Sequence, residues 1–192
     1  MKLLSIISAI ICCLLFSSCN SFKNDVETKI KQMQSEPISI PYDKMECWST
    51  DSIKSEQPWN KAKIKLVHYI DSVQCSTCYL SNLMRKGDVF QLEEKYGEKF
   101  YNVFIITPND KALKKLTYEY IEHELPATIF IDNENRFVEQ NPNIPQEQMF
   151  HTFLLDEKNN VIFVGSPIVS EELKEKIFDI IDKKLARDVS HR

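Results

Sequence analysis

The chain has 192 residues, of which 43% are hydrophobic and 10% aromatic, and these values are typical of one compact domain with its own core. Its formal net charge is −4, with acidic and basic residues interspersed along the sequence. A chain without a basic stripe is a poor match for a phosphate backbone, so nucleic acid is excluded as an expected partner.

The first 18 residues are predicted to be an export signal. Lys2 precedes the apolar run Leu3–Phe16, which is short for a membrane span. The run ends in Phe-Ser-Ser-Cys, which resembles the bacterial lipobox and makes Cys19 the lipidated first residue of the mature chain. The alternative is an ordinary secretory peptide cleaved near Ser18. Either interpretation predicts an exported protein, and the lipobox predicts a lipid-anchored protein of the bacterial cell envelope with its domain in the periplasm or at the cell surface.

Residues 19–37 are predicted to be a tether, because they are mainly polar and charged. Val26, Ile30 and Met33 follow the spacing of one helix face, which indicates a short amphipathic helix within the tether. Residues 38–192 are predicted to form the domain.

Within the domain, apolar runs with β-rich composition alternate with amphipathic runs. An edge strand or hairpin is expected at Ile38–Tyr42, followed by a loop over Ser49–Asn60. Periodicity and turn residues then predict strands at Ile64–Ile70, Val103–Thr107 and Ala127–Asp132, helices at Cys78–Tyr96, Asp110–Glu124 and Ser170–Ala186, and a hairpin of Thr152–Leu155 with Val161–Gly165. This order predicts an α/β sandwich with a mixed central sheet.

Residues 75–78, Cys-Ser-Thr-Cys, carry the chemistry. Two cysteines at the start of a helix share its first turn, where free N–H groups and the helix dipole lower the pKa of the first thiol. We therefore expect Cys75 to attack and Cys78 to resolve from a more buried position. The neutral Ser76 and Thr77 argue against a strong oxidant. The alternatives are a structural disulfide and half of a zinc site, but no second C-x-x-C or paired histidines supply the further ligands that zinc needs.

Three stretches of the chain resemble the TlpA/ResA-like branch of the thioredoxin superfamily, a group of membrane-tethered oxidoreductases. They are Ile64–Ile70 leading to Cys75–Cys78, then Leu125–Asp132, then His151–Asp156 with Val161–Gly165. The resemblance implies a thioredoxin-like three-layer sandwich with helices on both faces of a mixed sheet and a TlpA-type strand-helix insertion. It also implies exchange with protein thiols and disulfides of the cell envelope, without a cofactor or a metal.

The chain departs from this family at three positions near the cysteines. Gln74 stands where thioredoxins have tryptophan, Tyr69 where they have a buried acid, and Ser81 where the TlpA/ResA-like branch has glutamate. Asp71 and His68 are the nearby substitutes for the missing acids. For each of them, the alternative is an ordinary surface or strand residue.

The loop that faces the cysteines in this family carries a cis-proline, and two positions compete for it here. Pro126 has the right residue, but the sequence from Phe150 to Asp156 matches the family's register, so we predict Phe150. A cis bond before a residue other than proline costs about 2.5–4 kcal/mol, and the bond before Phe150 is therefore expected to be trans. This register brings His151 beside Cys75, either to stabilise the thiolate or move its proton, or as a strand-edge histidine without a redox role.

The sequence thus predicts an envelope thiol-disulfide oxidoreductase, more a reductant or isomerase than a strong oxidant, and leaves its upstream redox partner open. The alternatives are a catalytically weak partner-binding module, which the missing acids favour, and metal handling by the two thiols with His151 as third ligand. Cys47, between Met45 and Trp48, is interpreted as a buried thiol, with a third redox partner or a dimer-forming thiol as alternatives.

Overall fold

The computed structural model describes residues 21–86, 88–122 and 127–187. The predicted signal, Cys19 and Pro126 lie outside these residues. The described part opens in a helix, α1, over residues 21–33. None of the helices in the described part is long and apolar enough to cross a membrane.

The described residues form one six-stranded sheet with the spatial order β1-β4-β3-β2-β5-β6. Strands β2, β3 and β4 run parallel to one another, while β1, β5 and β6 pair antiparallel with their neighbours. The strand bounds are β1 Glu46–Trp48, β2 Ile64–Ile70, β3 Phe100–Ile106, β4 Ile129–Ile131, β5 Thr152–Leu155 and β6 Val161–Val164. Every residue of β2 and β3 is buried, as expected for central strands covered on both faces.

Helices connect the parallel strands and close the chain. Their bounds are α2 Asp51–Glu56, α3 Pro58–Lys61, α4 Ser76–Lys86, α5 Asp88–Tyr96, α6 Asp110–Glu122, α7 Arg136–Gln140 and α8 Glu171–Arg187. The predicted N-cap of the last helix is confirmed, because the Ser170 hydroxyl accepts the Leu173 N–H at 3.2 Å.

Two apolar cores lie on opposite faces of the sheet. The first packs side chains of α4, α5, α6 and α8 against Leu66, Phe104 and Leu154. The second packs α1, α3 and α7 against Val67 and Phe153. Helices on both faces of a mixed sheet, with a parallel centre and an antiparallel hairpin at one side, confirm the thioredoxin-like α/β sandwich.

The segment before β2 differs from its prediction. The edge strand is Glu46–Trp48 and not Ile38–Tyr42, and the expected loop over Ser49–Asn60 holds α2 and α3. The same polar and proline residues that suggested a loop begin these helices. The Thr50 hydroxyl accepts the Ile53 N–H at 3.5 Å, and Pro58 occupies the first turn of α3. The predicted helix Cys78–Tyr96 is likewise two helices, α4 and α5.

Much of the predicted tether packs on the domain. Met33, at the end of α1, is fully buried in the second core, and Val26 and Ile30 pack against the same core. The Gln34 amide donates to the Val161 carbonyl at 3.3 Å, and Lys29 pairs with Glu147. Since α1 buries this face, the packed unit includes residues that the sequence assigned to the tether.

Candidate redox site

The loop between β2 and α4 is held by side-chain hydrogen bonds. Asp71 Oδ1 accepts the N–H groups of Val73 at 3.1 Å and Gln74 at 2.9 Å. The Asn109 amide donates to the Ser72 carbonyl at 2.8 Å. The two hydrogen bonds to Asp71 form an Asx-type turn, and this turn fixes the backbone directly before Cys75.

Cys75 occupies the N-cap of α4 and forms a disulfide with Cys78, with the two Cα atoms 5.3 Å apart. The Cys75 carbonyl accepts the Tyr79 N–H at 2.9 Å, which starts the helix. The Cys75 sulfur accepts the Cys78 N–H at 3.3 Å, in the place where a serine or aspartate oxygen ordinarily caps a helix. A thiolate formed at this sulfur is therefore stabilised by an N–H donor and by the helix dipole.

Both cysteines are exposed in the disulfide state, so Cys78 is not a buried residue there, and its lower exposure relative to Cys75 stays a prediction. Instead, the first turn of α4 buries the residues between them, leaving Ser76 only 3% and Thr77 only 7% exposed. Cysteines three apart share one side of the helix, and here that side faces outward. Both cysteine residues are therefore open to solvent.

His68, and not Tyr69, lies on the face of β2 that α4 covers. Its ring stacks on Phe104 with centroids 4.6 Å apart, and its Nδ1 lies 2.8 Å from the Tyr79 hydroxyl. Tyr69 points to the other face of the sheet, where its ring contacts Phe137 and His151. Tyr69, which the family resemblance gives as the position of the buried acid, thus faces away from α4, because the side chains of a strand alternate between its two faces.

His68 is fully buried, and burial lowers its pKa to about 3. Beneath the disulfide the chain thus carries a neutral imidazole and a tyrosine in place of a carboxylate. Tyr79 was not singled out from the sequence. Its only signal there is its position directly after the second cysteine, because the partners of its hydroxyl are distant in sequence.

His151 lies beside the loop that precedes Cys75. Its carbonyl accepts the Tyr69 N–H at 2.8 Å, its Nε2 lies 3.1 Å from the Pro145 carbonyl, and its Nδ1 is 3.7 Å from Asp71 Oδ2. Burial lowers the pKa of His151, while Asp71 opposes that shift. A neutral ring with its Nε2–H donated to Pro145 leaves the Nδ1 lone pair facing the carboxylate. A redox role for His151 stays a prediction.

Phe150 is 2% exposed, and the peptide bond before it is trans, as are all bonds of the described residues. That prediction is confirmed. Antiparallel pairing of β5 with β2 places Phe150 and His151 at the end of β2 that leads to the cysteines. The comparison with Pro126 falls outside the described residues, so the choice of Phe150 for the family's proline position stays a prediction.

A hollow of about 390 Å³ opens between Gln74 and the Phe150–His151 segment. Its walls are mainly apolar, and Val26 and Ile30 of α1 contribute to one side. Its polar lining residues are Tyr79, Thr152 and Ser166, which carry hydroxyls, together with Gln74, Gln148 and His151.

Cys47 lies in β1, separated from β2 by β4 and β3. Its thiol is free and partly buried, and burial raises its pKa. A raised pKa lowers the thiolate fraction, which counts against Cys47 as a third redox partner. Among the described residues, no three His, Cys, Asp or Glu side chains come together in a way that would hold a metal ion.

No protein-family model and no curated protein matches the chain. Its fold is similar to that of a candidate thiol-disulfide oxidoreductase from Bacteroides vulgatus, with 16% identity, a TM-score of 0.46, and 78% of this chain and 92% of that chain covered. It is also similar to a thioredoxin-like protein from Bacteroides caccae, with 12% identity and a TM-score of 0.47. That match covers 85% of this chain and 56% of the other chain. A thioredoxin-like protein from Porphyromonas gingivalis is similar as well, with 12% identity and a TM-score of 0.43. That match covers 63% of this chain and 77% of the other chain.

Proposed function

We propose that this chain is a thiol-disulfide oxidoreductase of the cell envelope, with Cys75 as the attacking and Cys78 as the resolving residue. The observation that carries the proposal is the disulfide at the start of α4, where the Cys75 sulfur caps the helix and accepts the Cys78 N–H. A purely structural disulfide needs neither this cap nor two exposed cysteines.

Exchange takes two displacements at sulfur. The Cys75 thiolate attacks one sulfur of a partner's disulfide, forming a mixed disulfide and releasing the partner's other sulfur as a thiolate. The Cys78 thiolate then attacks the Cys75 sulfur and releases the second partner thiolate. The partner gains two electrons, and the Cys75–Cys78 disulfide forms again.

The exposure of Cys78 explains how exchange can proceed without the buried acids that the family uses. A buried resolving thiol needs an internal group to take its proton, but water can take the proton of a thiol at the surface. The absence of a carboxylate from the face of β2 below α4 is therefore compatible with exchange. The neutral Ser76 and Thr77 supply no cation to stabilise a thiolate further, which favours a reductant or isomerase over a strong oxidant.

The location of the activity belongs to the same proposal. The apolar run and the Phe-Ser-Ser-Cys sequence support export and lipidation at Cys19. The α6 and β4 unit between β3 and β5 is consistent with the strand-helix insertion of the TlpA/ResA-like branch. The expected partners are envelope proteins that carry thiols or disulfides, and the membrane is reached through the lipid.

The test is a pair of substitutions assayed with a model protein disulfide. Cys75→Ser is expected to abolish exchange, because no attacking thiolate remains. Cys78→Ser is expected to stop at a mixed disulfide through Cys75, which non-reducing electrophoresis and mass spectrometry detect. Cys47→Ser is the matched control and is expected to exchange at the wild-type rate.

A second function, a binding module without turnover, is favoured by the neutral His68 below the motif. It predicts that Cys78→Ser traps no partner and that reduced wild-type protein leaves the model disulfide intact. Those two results together would replace the proposal by the binding module.

A further inference from the structure

A chain of buried polar groups joins the first turn of α4 to the sheet below it. Tyr79, the residue after Cys78, is 9% exposed, and its hydroxyl lies 2.8 Å from His68 Nδ1 and 3.0 Å from the Thr152 hydroxyl. The Ser166 hydroxyl is 3.4 Å away. One side chain of the redox helix is thus bonded to β2, to the start of β5 and to the segment after β6.

On the neighbouring strand β3, the buried Asn102 amide is held by α5. The Asn102 amide nitrogen donates to Glu93 at 2.9 Å and to the Val89 carbonyl at 3.1 Å. Asn102 Oδ1 and His68 Nε2 are buried and make no hydrogen bond within the described residues. The Tyr79 hydroxyl is the hydrogen-bond partner of His68 Nδ1, and it donates to Nδ1 when the neutral ring carries its proton on Nε2.

The disulfide and this network act on the same turn of helix. In the oxidised protein, the bond from Cys75 to Cys78 already closes the first turn. Reduction removes that bond, and the Cys78 N–H then stabilises the Cys75 thiolate only if the turn keeps its place. Two other side chains act close to this turn, since the Thr77 hydroxyl lies 3.6 Å from the Cys75 sulfur and Asp71 accepts the Gln74 N–H. The hydroxyl contacts of Tyr79 differ from these because they tie the turn that follows Cys78 to the strands of the sheet.

We propose that Tyr79, held by His68, is a positioning residue for the redox pair: it keeps the first turn of α4 in place after reduction, so that the Cys78 N–H continues to stabilise the Cys75 thiolate. This inference rests on the proposed function and adds the residue that maintains the site in its reduced state. Tyr79 does not exchange a proton with either cysteine in this scheme.

The test compares Tyr79→Phe with Tyr101→Phe. Tyr101 is also 9% exposed, and its hydroxyl bonds to Thr128 at 2.7 Å on the other face of the sheet, so each variant loses one buried hydroxyl. The rate of Cys75 alkylation by iodoacetamide is measured against pH in reduced protein, with mass spectrometry to follow the Cys75 peptide. Tyr79→Phe is expected to raise the thiol pKa and slow alkylation below that pKa by about threefold to tenfold, because the rate follows the thiolate fraction.

Tyr101→Phe is expected to keep the wild-type pH profile even if its melting temperature falls. His68→Asn retains an acceptor oxygen near the Tyr79 hydroxyl and is expected to stay close to wild type, whereas His68→Leu removes the acceptor and should follow Tyr79→Phe. The two His68 variants decide the matter if Tyr79→Phe does not fold. Equal pH profiles for Tyr79→Phe and Tyr101→Phe, or for the two His68 variants, would overturn the proposal.

A second readout is the thiol-disulfide equilibrium in glutathione buffers. Tyr79→Phe is expected to shift it toward the disulfide, most strongly above the thiol pKa, where the shift approaches the factor by which the acid dissociation constant of Cys75 falls, because only the thiolate depends on the contact. Failure of wild-type protein to exchange with a partner would count against the proposed function, whereas an unchanged equilibrium in Tyr79→Phe counts against this inference alone.

Discussion

At the scale of single residues, the environments of the cysteines separate their chemistry. Cys75 accepts an N–H at a helix N-terminus, Cys78 lies one turn further along the helix, and Cys47 lies partly buried at a distant edge of the sheet. The first environment favours a thiolate and the last disfavours it. Reactivity should therefore rank the three thiols, although all three residues have the same side chain.

We expect Cys75 to be alkylated before Cys78 and Cys47 in reduced, folded protein near neutral pH. The helix N-terminus lowers the pKa of Cys75, while burial raises the pKa of Cys47. Brief treatment with iodoacetamide, followed by peptide mass spectrometry, measures the order. The denatured protein is the control, in which the three rates should converge. A faster reaction at Cys78 would reverse the assigned roles.

His68 makes stability depend on pH. Its pKa is about 3 in the folded chain and about 6.5 when unfolded, so below pH 6.5 the unfolded chain binds a proton that the folded chain does not. Each pH unit in this window lowers the free energy of unfolding by about 1.4 kcal/mol. Between pH 6.5 and 4.5, the wild type should lose roughly 2–3 kcal/mol more than His68→Asn, which does not titrate.

Urea unfolding of both proteins at the two pH values measures this difference. The comparison cancels the titration of His151 and of the carboxylates, which the two proteins share. An identical loss in the two proteins would show that His68 takes up its proton without cost, and would contradict its burial as a neutral ring.

At the scale of elements, sequence periodicity predicted the elements from β2 onward well, because central strands are continuously apolar and the helices carry one apolar face. The prediction was wrong before β2, where the residue types present are typical of both loops and helix starts. Thr50 and Pro58 serve equally in loops and at helix starts, and only burial of Trp59, 4% exposed, decides for helix. The hydrogen bonds of the Tyr79 hydroxyl could not be predicted from the sequence, because its partners lie up to 87 residues away along the chain.

Helix α1 offers a test of where the packed domain begins. Met33 is fully buried in the second core, and Met33→Ala should lower the free energy of unfolding by about 2–5 kcal/mol, the usual cost of such a cavity. Met84, on α4, is 38% exposed, and Met84→Ala should cost less than about 1 kcal/mol. Chemical denaturation measures both. If both substitutions lower the free energy of unfolding by the same small amount, α1 is part of the tether and not of the packed domain.

At the scale of the whole molecule, the two faces of the sheet have different tasks. The face covered by α4 carries His68 and Tyr79 below the cysteines, while the face covered by α1 and α7 carries Tyr69 and His151. The Phe150–His151 segment joins them, because β5 begins directly after it and pairs with β2. A substrate held beside the disulfide would thus contact groups from both layers, and the α1 side chains of the neighbouring hollow extend that surface toward the N-terminus.

The proposed lipid at Cys19 would hold the molecule at a membrane. Lipidation at Cys19 predicts that the wild-type protein stays with membranes through a salt wash and is released by detergent. Without residues 1–18, which contain Lys2 as their only charged residue, the chain carries a net charge of −5, so it gains no attraction to anionic lipids. Cys19→Ser, and a variant whose first 19 residues are replaced by a cleavable secretory signal, should therefore appear in the soluble fraction. Fractionation followed by immunoblotting measures the partition, and a retained precursor in Cys19→Ser is recognised by its larger mass. Equal membrane association of the wild type and the variant with the exchanged signal would mean that something other than lipid at Cys19 holds the protein.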